Sequence, residues 1–567
     1  MKINELTIRN YKSIKDLELE LSPRIDVFIG ANNVGKSNIL AAMEWLLDPI
    51  YPMPNRLDRW DFYNGDESLP MKVSLFFDDG NVLSVDSTRY DQYGHERHSL
   101  NFNGSGTYGD ARNRYIAVSI GPDRQVRENP ASSQRMLLGR MLKDFNEWLY
   151  EETMLNEDLN EVTKADVYKQ RMERIRDDIL FSITDGNGTN FMGELKRIIQ
   201  EEIARQLNCA PNDLQIGLNV HDPWNLLKTL QIFVTEQASG VQTRAADMSM
   251  GVQTSLAIAI HRAHSKLQLR NQTPIFINEP ELYLHLQARR QFYRVIEDVA
   301  DSGTQVFLTT HSTEFVDLGH FDQIFMVRKS AENGTCVRTD RPQAFIDDLQ
   351  ARHPNVQTSA ADLMLQYQNA FENTGDSQKS AETPFASKIV LVEGESESLI
   401  VPYCFDHIGY DYSARGISIV RCGGKSEIDR FYRLYNEFKI PYYAMFDDDS
   451  QNKGTEDKAH TIRANKAILS LFGCIDDFPD GKVHERYFGF KQTIEPSFGI
   501  GKVGKGTKGL KLFRAFKKAL NAGETQIPLW AHLIANRVDA LPNEANSILA
   551  VPAKEQCPWD SDDDIPF

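Results

Sequence analysis

"VFIGANNVGKSNIL", Val27 to Leu40, decides the fold of the first half of this chain. An apolar strand, Ile25 to Ile29, runs into a loop bounded by Gly30 and Gly35, and a helix is expected to begin near Lys36. The spacing is G-x-x-x-x-G-K-S. Backbone N–H groups of such a loop, with Gly30, Asn33 and Gly35 in it, cradle phosphates; Lys36 reaches the β/γ oxygens and Ser37 can ligate Mg²⁺. Strand, loop and helix occur in the order this chemistry needs, so ATP is the expected cofactor.

"FINEPELYLHL", from Phe276, is an apolar strand ending in carboxylates, and "VFLTTHS", from Val306, is another whose end delivers His311. Upstream of both, "MSMGVQ" (Met248 to Gln253) has Ser249 and Gly251 where the signature loop of ABC-type ATPases has its serine and glycine. Loop, signature, acidic strand and histidine in this order resemble the RecF, Rad50 and SMC branch of ABC ATPases. The resemblance implies that Glu279 orients the attacking water, that His311 senses the γ-phosphate, and that the signature of one subunit closes over nucleotide held by another in a head-to-tail homodimer. One departure matters: the acid usually found beside Mg²⁺ is Asn278, and a neutral amide stabilises Mg²⁺ less than a carboxylate. Nucleotide is therefore expected to act as a slow switch.

At 567 residues the chain exceeds what one hydrophobic core supports, so several units are expected. No signal-like opening and no run of eighteen apolar residues occurs, so a soluble, cytoplasmic protein without membrane contact is expected. Six scattered cysteines without a C-x-x-C pair argue against a zinc site or a disulfide framework. A net charge of -17 repels nucleic acid at long range, so DNA binding needs a local basic patch or bound metal. Residues 130–212 show apolar positions at three- and four-residue spacing, as in "GELKRIIQEEIARQL", and read as a helical insertion between two ATPase parts, 1–129 and 213–345. The insertion is expected to pack on the ATPase or on its copy.

Residues 346–386, ending in the polar "FENTGDSQKSAETPFA", read as a linker. "KIVLVEGESESLIVPYCFDHIG" then gives a strand, Glu393-Gly394 at its end, and a helix with Glu397 in its first turn. "ISIVRCGGKSEIDRFYRLYNEF" is strand, Gly-Gly-Lys loop and helix, and "IPYYAMFDDDS" is a strand ending in three aspartates. Strand-helix repetition indicates a parallel α/β sheet, with its site at the carboxyl ends of the strands. Side chains alternate along a strand, so Asp447 and Asp449 are expected on one face and Asp448 on the other. Glu393, Glu397, Asp447 and Asp449 converging at one edge would repel one another unless hard cations neutralise them. One or two Mg²⁺ or Mn²⁺ ions follow, and a two-ion centre can activate water and stabilise the leaving oxygen of a phosphodiester.

This arrangement resembles a Toprim domain, the metal site of topoisomerases, primases and certain nucleases. The fold class is α/β multidomain: a RecF/SMC-like ABC ATPase with a helical insertion, then a Toprim α/β domain at 387–522, an extension at 523–556 and an acidic tail at 557–567. An ABC ATPase joined to "VEGESE", "GGK" and "DDDS" resembles the OLD (overcoming lysogenization defect) family, which includes the Gabija phage-defence nuclease and effectors found beside retrons. That resemblance implies metal-dependent nicking or cleavage of DNA under nucleotide control in anti-phage defence, with a retron or other defence companion as a candidate partner. It also implies a late acidic position, matched by Glu495 in "TIEPSF", and a lysine near the reaction centre. "GIGKVGKGTKGLKLFRAFKKAL" (Gly499 to Leu520) has seven basic residues and no acid; Lys508 fits that role best, with Lys511 its rival.

"DDDIPF" resembles the tip of bacterial single-stranded-DNA-binding protein (SSB). Ile565, Pro566 and Phe567 would anchor a partner while the aspartates steer encounter, which suggests host or phage enzymes that bind SSB. Docking of the tail on the basic 499–520 stretch is the alternative. The overall expectation is a nucleotide-regulated, metal-dependent DNA endonuclease. Rival readings are a non-cleaving, ATP-switched repair protein of RecF type and a toxin acting on RNA.

Overall fold

A computed structural model of the protein describes residues 1–47, 57–90, 96–106, 115–120, 137–155, 160–175, 273–352 apart from 331, 333, 340 and 341, then 358–373, 381–450, 455–499 and 508–542, and, with breaks, 184–201 and 222–259. β1 (Ile3–Tyr11) and β2 (Ile14–Glu20) form an antiparallel pair that turns Ile3, Leu6, Ile8, Ile14, Leu17 and Leu19 inward. β3 (Ile25–Ile29) is buried throughout, as a central parallel strand covered on both faces must be. It feeds α1 (Lys36–Leu47). β4 (Lys72–Phe77), β5 (Val82–Tyr90), β6 (Glu96–Phe102) and β7 (Ser105–Gly106) extend an antiparallel lobe, and β8 (Val118–Ile120) returns to the parallel region.

The stretch read as an insertion contributes α2 (Leu137–Glu151), the hairpin β9 (Thr153–Leu155) with β10 (Glu161–Thr163), and α3 (Lys164–Ile175); beyond it comes a second hairpin, β11 (Phe233–Thr235) with β12 (Gln242–Arg244). The chain then re-enters the sheet as β13 (Ile275–Asn278), crosses α4 (Leu286–Asp301), and adds β14 (Val306–Thr310), β15 (Ile324–Ser330) and β16 (Gly334–Thr339). Strand order in the sheet is β7-β6-β5-β4-β1-β2-β16-β15-β3-β14-β13-β8. β3 lies between β15 and β14, parallel to both, so the phosphate loop, the carboxylate turn after β13 and His311 after β14 emerge at one edge.

Alternation along these strands separates two cores. Phe28, Phe276, Phe307 and Phe325 face α1 and pack with Ile39, Leu40, Met43 and Leu46. Val27, Ile29, Ile277, Leu308 and Met326 face the other way, onto Phe292 and Ile296 of α4. That second core continues into the C-terminal half through α5 (Pro342–Arg352) and α6 (Ala360–Asn373), whose Phe345, Ile346, Leu363 and Tyr367 are buried in it. The stretch expected to be a linker therefore holds two helices. Leu363 and Tyr367 stand four residues apart, on one helical face, and a short apolar stripe of this kind is easily lost in a polar sequence.

The C-terminal half has β17 (Lys388–Val392), α7 (Glu395–His407), β18 (Ile417–Arg421), α8 (Lys425–Glu437), β19 (Tyr442–Asp447), α9 (Thr455–Leu471), β20 (Tyr487–Phe490), α10 (Lys508–Asn521) and α11 (Leu529–Ala540). Its strands are all parallel, in the order β18-β17-β19-β20. One face, with Leu391, Val420 and Ala444, joins the core shared with the N-terminal half through Phe431, Tyr432 and Tyr435 of α8. Tyr367 Oη donates to Arg430 O at 3.4 Å and an Arg328 guanidinium N–H donates to Lys439 O at 3.4 Å, so polar contacts cross the same boundary.

The other face packs on α7, α10 and α11. Trp530, Ile534 and Val538 recur every four residues and enter the core beside Val390, Phe488 and Phe490. Lys388 Nζ closes the end of α11 by donating to Val538 O at 2.9 Å and Asp539 O at 2.8 Å. So α11, which the sequence sets apart as an extension, completes the core of the C-terminal half. Among the described residues, no helix is long and apolar enough to cross a membrane. Trp530→Ala is expected to lower the unfolding free energy by about 3 kcal/mol, as large-to-small changes in packed cores do. Denaturant unfolding with an unchanged midpoint would show that α11 is dispensable.

Candidate nucleotide and metal sites

The phosphate loop is held open by glycine. Gly30 has φ +149° and a Cβ there would fall 2.2 Å from Val327 O; Gly35 has φ +110° and its Cβ would fall 2.1 Å from Thr335 Oγ1. The β15–β16 hairpin presses so closely on the loop that a side chain at either position would collide. Asn33 sits between them with φ +63°. Lys36, at the start of α1, bends back: its Nζ donates to Gly30 O at 3.1 Å, to Ala31 O at 3.0 Å and to His311 Nε2 at 2.7 Å. Burial, and then the Lys36 ammonium, hold His311 below its ordinary pKa, so a neutral imidazole accepts this proton. Burial likewise lowers Lys36, opposed by Glu279 and Glu281.

Ser37 Oγ donates to Asn278 Oδ1 at 3.3 Å, and Thr309 Oγ1 donates to the same oxygen at 2.5 Å. The oxygen of Asn278 is thus engaged by two hydroxyls at the end of β13. Glu279 occupies a left-handed turn, φ +49°, with Oε1 3.6 Å from His311 Nε2. Glu281 carries no role legible from sequence alone. It is buried, accepts the His311 N–H through Oε1 at 2.5 Å, and leaves Oε2 buried with no hydrogen-bond partner. Its position two residues beyond Glu279 was the available signal. Ser249 is exposed and Gly251 half-buried at the start of the described turn 251–253, with Gln253 N–H donating to Ser249 O at 3.1 Å.

At the second site, β17 delivers Glu393 and the first turn of α7 delivers Glu397. Glu397 Oε2 accepts the Gly394 N–H at 3.0 Å, the half of a capping box that a glycine N-cap permits. Glu393 Oε2 accepts the Asp447 N–H at 3.0 Å, fastening β17 to the end of β19. Asp448 is buried and turned away: its Oδ1 accepts the Ser450 and Gln492 N–H groups, and its carbonyl accepts Asn465 Nδ2 at 2.8 Å. The sequence reading placed Asp447 and Asp449 together by strand alternation. In the structure β19 ends at Asp447, and Asp449 is set instead by a left-handed backbone, φ +50°, with its N–H donating to Gln492 O at 2.9 Å. Lys425, the first residue of α8, donates from Nζ to Asp449 Oδ2 at 2.7 Å. Although the Gly-Gly-Lys loop was visible in the sequence, this lysine had no role there.

The electrostatics are those of crowded acids. Burial, then Glu397, Glu393 and Asp449, push Asp447 well above the ordinary carboxyl range, opposed by Lys425. Burial pushes Glu393 up to about 7, again against Lys425. Asp447 Oδ1 is buried with no hydrogen-bond partner. Among the described residues, no three His, Cys or carboxylate side chains are drawn up around a common point at ligand distance; Glu393 and Glu397 accept backbone N–H groups and Asp449 accepts from Lys425. An orphaned carboxylate oxygen amid mutually repelling acids nonetheless fits a hard divalent cation. Glu393, Glu397, Asp447 and Asp449 are the residues that would hold it.

Glu495 heads a turn, Glu495–Phe498, just past β20, and accepts the Thr493 hydroxyl. Lys508 begins α10, whose next residue, Gly509, comes so close to α7 that a Cβ would lie 2.8 Å from Glu395 Cγ. The N-terminus of α10 therefore abuts the E-G-x-x-E turn. Ile565, Pro566 and Phe567 lie outside the described residues, as does most of the Gly-rich part of the basic stretch, 500–507.

Comparison with known proteins matches both halves. The AAA-domain family described with the AbiEii toxin of type IV toxin–antitoxin systems matches residues 27–317, and the overcoming lysogenization defect protein-like TOPRIM domain matches residues 385–449. The OLD nuclease of Thermus scotoductus is 24% identical over 539 residues, covering 88% of this chain and 92% of that protein. The Old nuclease of Escherichia phage P2 is 22% identical over 479 residues, covering 79% and 77%. Endonuclease GajA of Bacillus cereus is 20% identical over 518 residues, covering 83% and 79%.

The raised carboxyls set a pH signature. Below about 4.5 the Glu393 carboxyl is protonated in folded and unfolded chains alike; between there and about 7 the unfolded chain ionises while the folded chain keeps its proton. The folded state then binds more protons, so metal-free stability contributed here is lost as pH rises through that window. Asp447→Asn is expected to flatten the fall of Tm with pH over this range, measured with a chelator present. An identical slope in both proteins would contradict the crowding.

Proposed function

We propose, from a chain that belongs to the OLD family of joined ATPase and Toprim domains, that this protein is a nucleotide-regulated, divalent-metal-dependent DNA endonuclease of anti-phage defence. One observation supports the reading above the rest: Asp447 presents an unpartnered, buried carboxylate oxygen beside Glu393, Glu397 and Asp449 at the carboxyl edge of a parallel sheet. A divalent ion bound there would supply Lewis-acid charge and a lowered water pKa. The protein's part is to hold the carboxylates against their repulsion, with β17 and β19 tied by the Glu393 to Asp447 contact, while the N-terminus of α10 abuts the E-G-x-x-E turn at Glu395. Lys508 is the residue we assign to stabilise charge on the phosphodiester, and Glu495 the further acid of the site.

At the ATPase edge we assign Lys36 and Ser37 to ATP and its Mg²⁺, Glu279 to orienting water and His311 to sensing the γ-phosphate, a reading supported by the contacts among them. Ser249, which is exposed, is assigned to close on a second copy in a head-to-tail homodimer. Asn278 in place of an acid favours slow turnover and a lasting bound state. Shared relatives named as nucleases favour cleavage over a purely binding role of RecF type.

The test is conversion of supercoiled plasmid to nicked or linear form with Mn²⁺ or Mg²⁺, with and without ATP, for wild type, Asp447→Ala and Lys36→Ala. Asp447→Ala should lose at least about a hundredfold in rate, the scale of removing a charge that acts on the transition state. Lys36→Ala should abolish the difference between the ATP lanes while leaving cleavage intact. Cleavage by Asp447→Ala at the wild-type rate would refute the site.

A further inference from the structure

Lys425 stands at the first position of α8, where the positive end of the helix dipole opposes an ammonium. Its side chain is only 9% exposed, and Nζ lies 2.7 Å from Asp449 Oδ2. Burying a lysine costs free energy unless its charge is answered, and here the answer comes from the acid site. It is also the cation that acts on Glu393 and on Asp447 together, so one ammonium faces three carboxylates besides neighbouring Glu397. A single positive charge only partly balances that group. A divalent ion would balance more of it, and would reach the Asp447 oxygen that Lys425 leaves without a partner. The lysine is moreover attached by a flexible four-carbon stem, and Gly423 and Gly424 precede it with φ +96° and +156°.

We infer that the Lys425 ammonium holds the place of a divalent cation in the acid site, releasing Asp449 when metal enters. This rests on the reading of the site as metal-dependent. Metal and ammonium then compete for Asp449, so the lysine keeps the metal-free protein folded around its acids while weakening metal binding. Competition of this kind separates two quantities that a lysine merely orienting Asp449 would move together: stability without metal, and affinity for metal.

The experiment is Mn²⁺ titration of the full chain, followed by the free-ion electron paramagnetic resonance signal, with thermal unfolding of the same samples. Wild type, Lys425→Met, Lys425→Gln and Asp447→Asn are compared at one pH and ionic strength. Both Lys425 variants should unfold at lower temperature without metal, bind Mn²⁺ about fivefold or more tightly than wild type, and gain more in Tm from saturating Mn²⁺. Equal or weaker Mn²⁺ binding by both folded variants would overturn the inference and leave Lys425 as an orienting partner of Asp449. If one variant fails to fold, the other decides. Should wild type and both variants bind no more Mn²⁺ than Asp447→Asn, the metal-dependent reading of the site itself falls, a result distinct from unchanged affinity in a site that does bind.

Discussion

Carboxylates gathered in a recess of low dielectric repel one another, and the C-terminal half of this protein is organised around containing that repulsion. Glu393 fastens itself to the Asp447 N–H, Glu397 to the Gly394 N–H, and Asp449 to the Lys425 ammonium. Asp448, in the middle of the acidic run, does the opposite work: it is buried away from the cluster and holds the Ser450 and Gln492 backbone. Asp447 Oδ1 is what the containment leaves over, a buried oxygen without a partner. Free energy held in that way would be available to a cation entering the cluster, the basis of the proposed metal site.

The same half is not hung loosely on the ATPase. One face of the small sheet and one face of the large sheet share a core, bridged by Phe345, Leu363 and Tyr367 on one side and by Phe431, Tyr432 and Tyr435 of α8 on the other. Lys425 begins α8, and just beyond its far end Lys439 O accepts a hydrogen bond from Arg328 of β15, the strand that pairs with the phosphate-loop strand β3. Nucleotide site and acid site are therefore joined by packed secondary structure, one helix apart. Under the proposed function, this packed connection is the path by which nucleotide at Lys36 would bias the geometry at Asp449.

Much of the site was readable in the sequence because its motifs are local. The phosphate loop needs glycine where a Cβ would strike Val327 O or Thr335 Oγ1, and the acids sit at strand ends that apolar runs announce. What escaped depends on contacts distant in sequence. Lys425 acquires a role only when β18 and β19 flank β17 and bring the Gly-Gly-Lys turn to Asp449. Glu281 acquires one only when β14 lays the His311 N–H against it. Asp449 reaches the site by a left-handed turn rather than by strand alternation, and α11 joins the Toprim core through Trp530 although its sequence lies past the motif region. The helices α5 and α6 were obscured because their buried stripe is short and set among polar residues.

The most direct measurement is a crystal structure of the full chain soaked in Mn²⁺, with anomalous scattering used to locate the ions. A peak is expected within reach of Asp447 Oδ1 and oxygens of Glu393, Glu397 or Asp449, with Lys425 Nζ withdrawn from Asp449. Ions absent from this cluster while the phosphate loop or other surfaces bind them, with the Lys425 to Asp449 contact intact, would contradict it.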